Sequence, residues 1–141
     1  MRYVPRVASA QLVALPRLRL ACRALPDHAD DADLVVAEAA ALLSWAREHS
    51  RASAPWIVVD GDVVEVAVPI PVGLALPDGL RERELAAGRW AALDGDDARP
   101  STVKALASTL RLKPPGPIVD PGGPIFARIT EDGTTAHLRV E

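Results

Sequence analysis

Two residues with chemically capable side chains lie inside runs that otherwise read as buried β-strands. Glu65 lies in the middle of "VVEVAVPIP" (63–71), and His137 lies in "TTAHLRVE" (134–141). A charged group in apolar surroundings is costly unless it is paired or neutralised. Glu65 could attract a cation, accept a hydrogen bond or act as a general base on water. His137 could donate to a ligand carbonyl or carry a proton near neutral pH.

The period of two along a strand predicts which side each residue faces. Glu65 lies opposite the face shared by its neighbours Val64, Val66 and Val68, and His137 lies opposite Ala136, Leu138 and Val140. If a helix covers the apolar face, Glu65 and His137 point away from the helix-packed core. The alternative is a solvated sheet face, with Glu65 in a salt bridge to Arg139 or Arg89.

The tryptophans are the next candidates, because a flat indole face suits aromatic or cationic ligands. Trp45, Trp56 and Trp90 are three of only five aromatic residues in the chain. Trp90 and Trp56 could each serve the core or a binding pocket, whereas Trp45 is expected chiefly in the core. All three are candidate ligand contacts.

Metal and cofactor sites are not expected. His28, His49 and His137 are far apart in the sequence, and the "DGDD" run (94–97) lacks the spacing of a calcium loop. No glycine-rich loop has the strand before it and the helix after it that a phosphate cradle needs. Cys22 could form a nucleophile pair with a histidine, but an inert buried thiol is the stronger expectation.

These candidates must be positioned by a small set of elements. The pattern predicts an extended run over 11–25, a helix over 30–50, and a shorter helix over 99–113. Asp30, Asp31 and Asp33 suit the N-cap and first turn of the longer helix. Asp-Gly pairs at 60–61 and 132–133 predict two-residue hairpin turns. Two short strands are expected around Gly88.

The two halves of the chain resemble one another in order and in a few identities. Four residues (Ile57, Asp60, Gly61 and Val68) match four later ones (Ile129, Asp132, Gly133 and Val140). The sequence therefore predicts one α+β domain over 1–141, with pseudo-repeats of roughly 11–71 and 80–141. Each repeat is a strand-helix-strand-strand unit that buries one sheet face under its helix, which leaves a cleft between the two units.

Composition and charge argue against several classes of function and location. A net charge of −3 argues against direct nucleic-acid binding, which needs clustered basic residues. No apolar run reaches the ~20 residues needed to cross a bilayer, so no membrane partner is expected. The single cysteine favours a reducing, cytoplasmic location. Basic residues at 17, 19 and 23 interrupt the signal-like apolar N-terminus.

The stretch "EVAVPIPVGLALPDGLRERELAAGRWAAL" (65–93) resembles the GyrI-like small-molecule-binding domain. This is the effector-binding module of bacterial multidrug-responsive MerR-type and AraC-type regulators, and it also occurs alone. The resemblance rests on Glu65, Val68-Pro69, the crossover 71–79, Glu84-Leu85 and Gly88-Arg89-Trp90, and it extends over about 11–140. It implies two halves related by a pseudo-twofold axis, with antiparallel sheets around a central cleft. An amphipathic, often cationic or aromatic ligand would lie in this cleft, on the side to which Glu65 and His137 point.

The chain departs from the family pattern at its site. His137 stands where the family has a last-strand glutamate, and the aromatic residues before the hairpin turns are aliphatic here, at Val59 and Ile129. Broad capture of large aromatic cations is therefore not expected.

Three functions follow from these observations. The first is a stand-alone sensor or sequestering domain for a small hydrophobic or cationic ligand, with a second copy or a regulator as its protein partner. The second is a hydrolase on the same scaffold, with Glu65 as general base and His137 or Trp90 positioning the substrate. The third is a protein–protein interaction or inhibitor module.

Overall fold

The computed structural model of the chain describes residues 10–26, 30–51 and 54–141. Within these ranges, two helices lie against one antiparallel sheet of eight strands, which confirms the α+β class. The elements are β1 (Gln11–Leu15), β2 (Leu18–Ala24), α1 (Ala32–Arg47), β3 (Trp56–Asp60), β4 (Val63–Ile70), β5 (Arg81–Leu85), β6 (Gly88–Gly95), α2 (Pro100–Leu112), β7 (Ile125–Thr130) and β8 (Gly133–Val140).

The expected two sheets are one continuous sheet. Its strand order is β1-β6-β8-β7-β3-β4-β2-β5, and the two halves join where β3 pairs with β7, at Ile57 and Ala127 among others. The predicted extended run over 11–25 is also divided. Pro16 and Arg17 separate β1 from β2, and these two strands lie in opposite halves of the sheet.

Two short connections force the sheet to curl. Only Pro16 and Arg17 link β1 to β2, which lie six positions apart in the strand order. Six strand spacings would be about 29 Å in a flat sheet, but three Cα–Cα steps reach only about 11 Å. Ala86 and Ala87 impose the same constraint between β5 and β6. The two flanks therefore roll toward each other while β1 and β5 remain edge strands.

The sheet has two different faces, as the strand periodicity predicted. One face, here called the helix-covered face, packs its valines Val66 and Val68 with Val35 and Leu42 of α1 and Val103 of α2. The other, the inner face, is enclosed by the curl. Its apolar cluster comes from both flanks and the centre: Leu20, Cys22, Trp56, Val58, Ala67, Leu85, Trp90 and Phe126.

The two aspartates before α1 accept hydrogen bonds from two different helices. Asp31 is the N-cap of α1 and accepts from the backbone N–H groups of Asp33 and Leu34 at 2.9 and 3.4 Å. Asp30 was expected in the same role, but it accepts instead from the backbone N–H and the hydroxyl of Ser101, both at 2.9 Å. It thereby fixes the first turn of α2 to the segment before α1.

Both predicted hairpins form, but each turn is displaced by one residue. Asp60 pairs with Val63, so Gly61 and Asp62 make the first turn. Thr130 pairs with Gly133, which places Gly133 at the start of β8 instead of in the turn. The second hairpin therefore uses its glycine for a different purpose from the first.

Candidate ligand-binding face

Four of the five predicted site residues lie on the inner face. Glu65 and His137 are buried there, together with Trp56 and Trp90. Trp45 is separated from them by the sheet. It lies on α1, partly buried against the core of the helix-covered face, with its ring centroid 5.3 Å from that of His49.

Glu65 and His137 occupy one transverse row of the sheet. Glu65 pairs with Val58, Val58 pairs with Phe126, and Phe126 pairs with His137. Directly paired residues share a face, so the two polar side chains point to the same side. Three strand spacings separate their backbones, about 14 Å along the sheet.

The carboxylate of Glu65 forms ion pairs with two arginine side chains of the same chain. Its carboxylate is 1% exposed, and Oε1 accepts from Arg83 Nε at 2.5 Å while Oε2 lies 3.5 Å from Arg81 Nε. Arg83 also donates to Asp60 at 3.2 Å. Burial acts to lower the pKa of Arg83, but the hydrogen bond and charge of Glu65 raise it above its ordinary value.

The structure therefore corrects the expected partners of Glu65. Glu65 forms ion pairs with Arg83 and Arg81 on β5, not with Arg139 or Arg89. The Glu65–Arg83 pair is buried, whereas the Arg81 side chain is largely exposed. Glu65 Oε2 has no hydrogen-bond donor in the described part of the chain. A carboxylate already balanced by two guanidinium groups exerts little attraction on a ligand cation.

His137 is a neutral, buried ring. It is 5% exposed, and its Nδ1 lies 3.3 Å from the carbonyl oxygen of Phe126. Because a carbonyl can only accept, Nδ1 carries the proton and Nε2 is left as an acceptor. Burial lowers the pKa of His137 to about 4, so the ring is neutral near pH 7. The ring of Trp56 tilts against it at 5.3 Å.

Aromatic residues fill the centre of the inner face. The Trp90 and Phe126 rings meet edge to face, 5.9 Å apart at 89°, and Trp90 Nε1 donates to the carbonyl of Ala86 at 3.1 Å. Trp90 is consequently a core residue, with its one polar atom satisfied. The expected central cleft is occupied here by the protein's own side chains.

Space on the inner face lies to one side of this cluster. A cavity of about 350 Å³, here called the His137 cavity, is lined by Gln11, Val13, Leu15, Ala92, Asp94, Arg128, Thr135 and His137. A second cavity of about 360 Å³, the Trp56 cavity, includes Trp56, Pro69 and Ile70. Leu15 and Arg128 line both, so the two are neighbours.

Sequence reasoning missed Arg128 and Asp94. Arg128 lies two residues after Phe126 on β7, and because residues two apart on a strand share a face, this spacing is the signal that places Arg128 on the inner face. Asp94 belongs to the "DGDD" run, which was considered only for a hard cation. Strand pairing, which sets these residues on either side of Thr135, is not visible in the sequence.

A larger cavity, about 690 Å³, lies elsewhere. It is bounded by residues 24–26, the hairpin residues 62–64 and the start of α2. None of the five predicted site residues lines it.

Neither a cluster of metal-ligating side chains nor a helix able to span a membrane occurs in residues 10–26, 30–51 and 54–141. No group of three or more His, Cys, Asp or Glu side chains that could hold a metal ion is found there. Among the helices described, none is long and apolar enough to cross a membrane. His28, one of the histidines weighed as a metal ligand, lies outside the described residues.

Comparison with known proteins identifies the fold and no more. No protein-family model matches the chain, and no curated protein matches it. Among solved structures, it is similar to an integron cassette protein from the mobile metagenome of Vibrio cholerae, at TM-score 0.50 and 11% identity, covering 94% of this chain and 95% of that one. It is similar also to a putative bacterial transcription regulation protein from Staphylococcus aureus MU50, with the same score and identity, over 94% and 98% of the chains.

Proposed function

We propose that this chain is a small-molecule-binding domain that acts as a sensor or sequestering protein, with its ligand in the His137 and Trp56 cavities. The observation that carries the proposal is the cavity wall. A neutral, almost fully buried histidine packs on a tryptophan beside a space lined by the apolar side chains of Val13 and Leu15 together with several polar ones. Concave sites that combine an apolar surface with fixed polar groups are typical of small-molecule binding.

Membership of the GyrI-like group is part of this proposal. The residues that carry the resemblance fall on suitable elements: Glu65 and Val68-Pro69 on β4, Glu84-Leu85 on β5, and Gly88-Arg89-Trp90 on β6. The similarity to a putative transcription regulation protein over nearly the whole chain supports a role alongside a regulator.

An internal duplication is the second part of the proposal. The strand order is unchanged when it is reversed and β1, β2, β3 and β4 are exchanged with β5, β6, β7 and β8. The proposed twofold axis passes through the Ile57–Ala127 pair. It relates the Ala21–Val68 pair of one half to the Ala91–Leu138 pair of the other.

In this relation Glu65 and His137 are not equivalent positions. The turns correspond, so Val63 matches Gly133, Glu65 matches Thr135, and Ala67 matches His137. Glu65 and His137 would then be neighbouring, non-equivalent positions of the duplicated face. One half of the face holds a closed ion pair and the other holds the cavity.

The hydrolase alternative has less support. A general base must reach water, whereas Glu65 is 1% exposed, engaged by Arg83 and absent from the lining of the three cavities described above.

A fluorescence titration tests the binding function. In a Trp45→Phe variant, emission comes from Trp56 and Trp90 on the inner face alone. We expect saturable changes with at least one of three probes that share a naphthalene ring: 2-naphthylmethanol, 2-naphthylmethylammonium and 2-naphthoate. A folded variant, checked by circular dichroism, that responds to none of them would contradict the proposal.

A cavity-filling pair locates the site. Ala92→Leu adds bulk to the wall of the His137 cavity and should weaken binding at least about tenfold, since the added atoms occupy the ligand's space. Ala40→Leu adds the same atoms at an exposed position on α1 and should leave binding unchanged.

A further inference from the structure

The His137 cavity carries one positive and one negative group that form no salt bridge within the described part of the chain. Arg128 and Asp94 are both exposed side chains on its wall. Neither takes part in a salt bridge with any residue in the described ranges. Other inner-face charges, such as Glu65, Arg83 and Asp60, are paired with one another.

Strand pairing fixes the arrangement of these two charges. Thr135 pairs with Asp94 on one side and with Arg128 on the other. The two backbones are therefore about 10 Å apart, which is two strand spacings. Thr135 donates its hydroxyl to Asp94 Oδ1 at 2.7 Å, which orients that carboxylate and leaves Oδ2 available. The opposite charges lie across one small space.

The remaining wall favours a compact, partly apolar molecule. Val13, Leu15 and Ala92 supply an apolar surface, and the Trp56 cavity continues it past Arg128. Volumes of about 350 and 360 Å³ stand at the small end of ligand sites. His137 adds no charge near neutral pH, because its ring stays neutral there.

We infer that the ligand of this site is a small amphipathic zwitterion, of the amino-acid class with an apolar side chain. Its carboxylate binds the Arg128 guanidinium, its ammonium group binds Asp94, and its apolar part lies on Val13 and Leu15. The inference rests on the proposed binding function and narrows it. The ligand is not the simple cation that Glu65 alone would suggest, because Glu65 already has its cations.

Three phenyl compounds that differ in their charged groups measure the contribution of each charge to binding. L-Phenylalanine carries both groups, 3-phenylpropionate only the carboxylate, and 2-phenylethylamine only the ammonium group. Isothermal titration calorimetry at pH 7 should give the tightest binding for L-phenylalanine. Each missing charge should weaken binding about tenfold, the usual worth of a charge-assisted hydrogen bond.

Two substitutions assign each charge to its residue. Arg128→Gln should weaken L-phenylalanine and 3-phenylpropionate about tenfold and leave 2-phenylethylamine unchanged. Asp94→Asn should weaken L-phenylalanine and 2-phenylethylamine and spare 3-phenylpropionate. Arg139→Gln is the matched control, since it removes the same charge from the inner face but lines neither cavity.

The outcomes of these experiments distinguish a failure of the zwitterion assignment from a failure of the proposed binding function. Preference for 2-phenylethylamine, or affinities that Arg128→Gln and Asp94→Asn do not change, would overturn the zwitterion assignment while binding itself stands. Response to a naphthalene probe without binding of any of the three phenyl compounds would overturn it equally. Absence of binding by all six compounds would remove the proposed function as well.

Discussion

Glu65 and His137 face the same side of one continuous sheet, with Val58 and Phe126 between them in a single paired row. They do not form a joint anchor across an open cleft. Glu65 is closed off by two arginines, whereas His137 borders a cavity and lies against Trp56. The inner face is therefore divided into a structural half and a half with room for a ligand.

The Glu65–Arg83 ion pair should be worth more to folding than to binding. Glu65→Gln removes a charge that balances two arginines, and we expect it to cost about 3 kcal/mol of unfolding free energy, because it leaves Arg83 poorly compensated in a buried site. Urea denaturation measures the loss. Arg83→Gln should cost a similar amount, and the double variant should cost clearly less than the sum.

A matched exposed pair is the control for this prediction. Glu84→Gln on the neighbouring strand breaks a salt bridge to Arg17 whose two side chains are 52% and 73% exposed. Exposed pairs contribute less than about 1 kcal/mol. If Glu65→Gln proved as mild as Glu84→Gln, the buried pair would not be a stabilising element.

His137 should make the folded state sensitive to mild acid. The unfolded chain takes up a proton near pH 6.5, but burial lowers the pKa of the folded ring to about 4. Between these values the unfolded state binds more protons, so stability is full above about pH 6.5 and falls as the pH drops toward 4. The total loss is on the order of 3 kcal/mol. Arg128 strengthens this shift and Asp94 opposes it.

Urea denaturation of wild type and His137→Gln from pH 7 to pH 4 checks this. The difference in unfolding free energy between the two proteins should change with a slope of up to about 1.4 kcal/mol per pH unit in that window. A difference that stays constant with pH would mean that the ring titrates alike in the folded and unfolded chains.

The thiol of Cys22 should be unreactive in the native protein. It is fully buried in the inner-face cluster, and burial, followed by the charge of Glu65, raises the pKa of its thiol to about 12. Thiolate is the reactive form, so a disulfide reagent at pH 8 should label the native protein only as fast as it unfolds. Complete labelling in urea is the reference. Rapid stoichiometric labelling without denaturant would contradict the buried placement.

The sequence predicted those features of the fold that depend only on the residues within one helix or strand. The apolar spacing gave both helices, and the period of two correctly placed Glu65 and His137 away from the helix-covered face. Strand pairing over long distances was not readable. Nothing local shows that β3 pairs with β7, and this pairing turns two expected sheets into one.

The site was less predictable than the fold for a related reason. Glu65 is neutralised by arginines on β5, which reach it only because β5 adds to the edge beyond β2. Arg128 and Asp94 become neighbours of one cavity only through their shared pairing with Thr135. A sequence gives the side on which a residue faces, but the partner across the sheet depends on the register.

The glycines of the two hairpins give a final, paired prediction. Gly133 has φ of +146°, and an added Cβ would lie 2.1 Å from the carbonyl oxygen of Gly95 on the neighbouring strand β6. That contact is with backbone, which cannot yield without breaking the β6–β8 ladder. Gly133→Ala should therefore cost at least about 3 kcal/mol or prevent folding.

Gly61 is the natural control, because it has φ of +60° in the left-handed region and open space around the position of a Cβ. Gly61→Ala should cost only about 1 kcal/mol, the strain of an L-residue in that conformation. Thermal and urea denaturation of both variants measure the contrast. Equal losses would show that Gly133 does not approach the backbone of Gly95 and that the end of the β6–β8 pairing is wrongly placed.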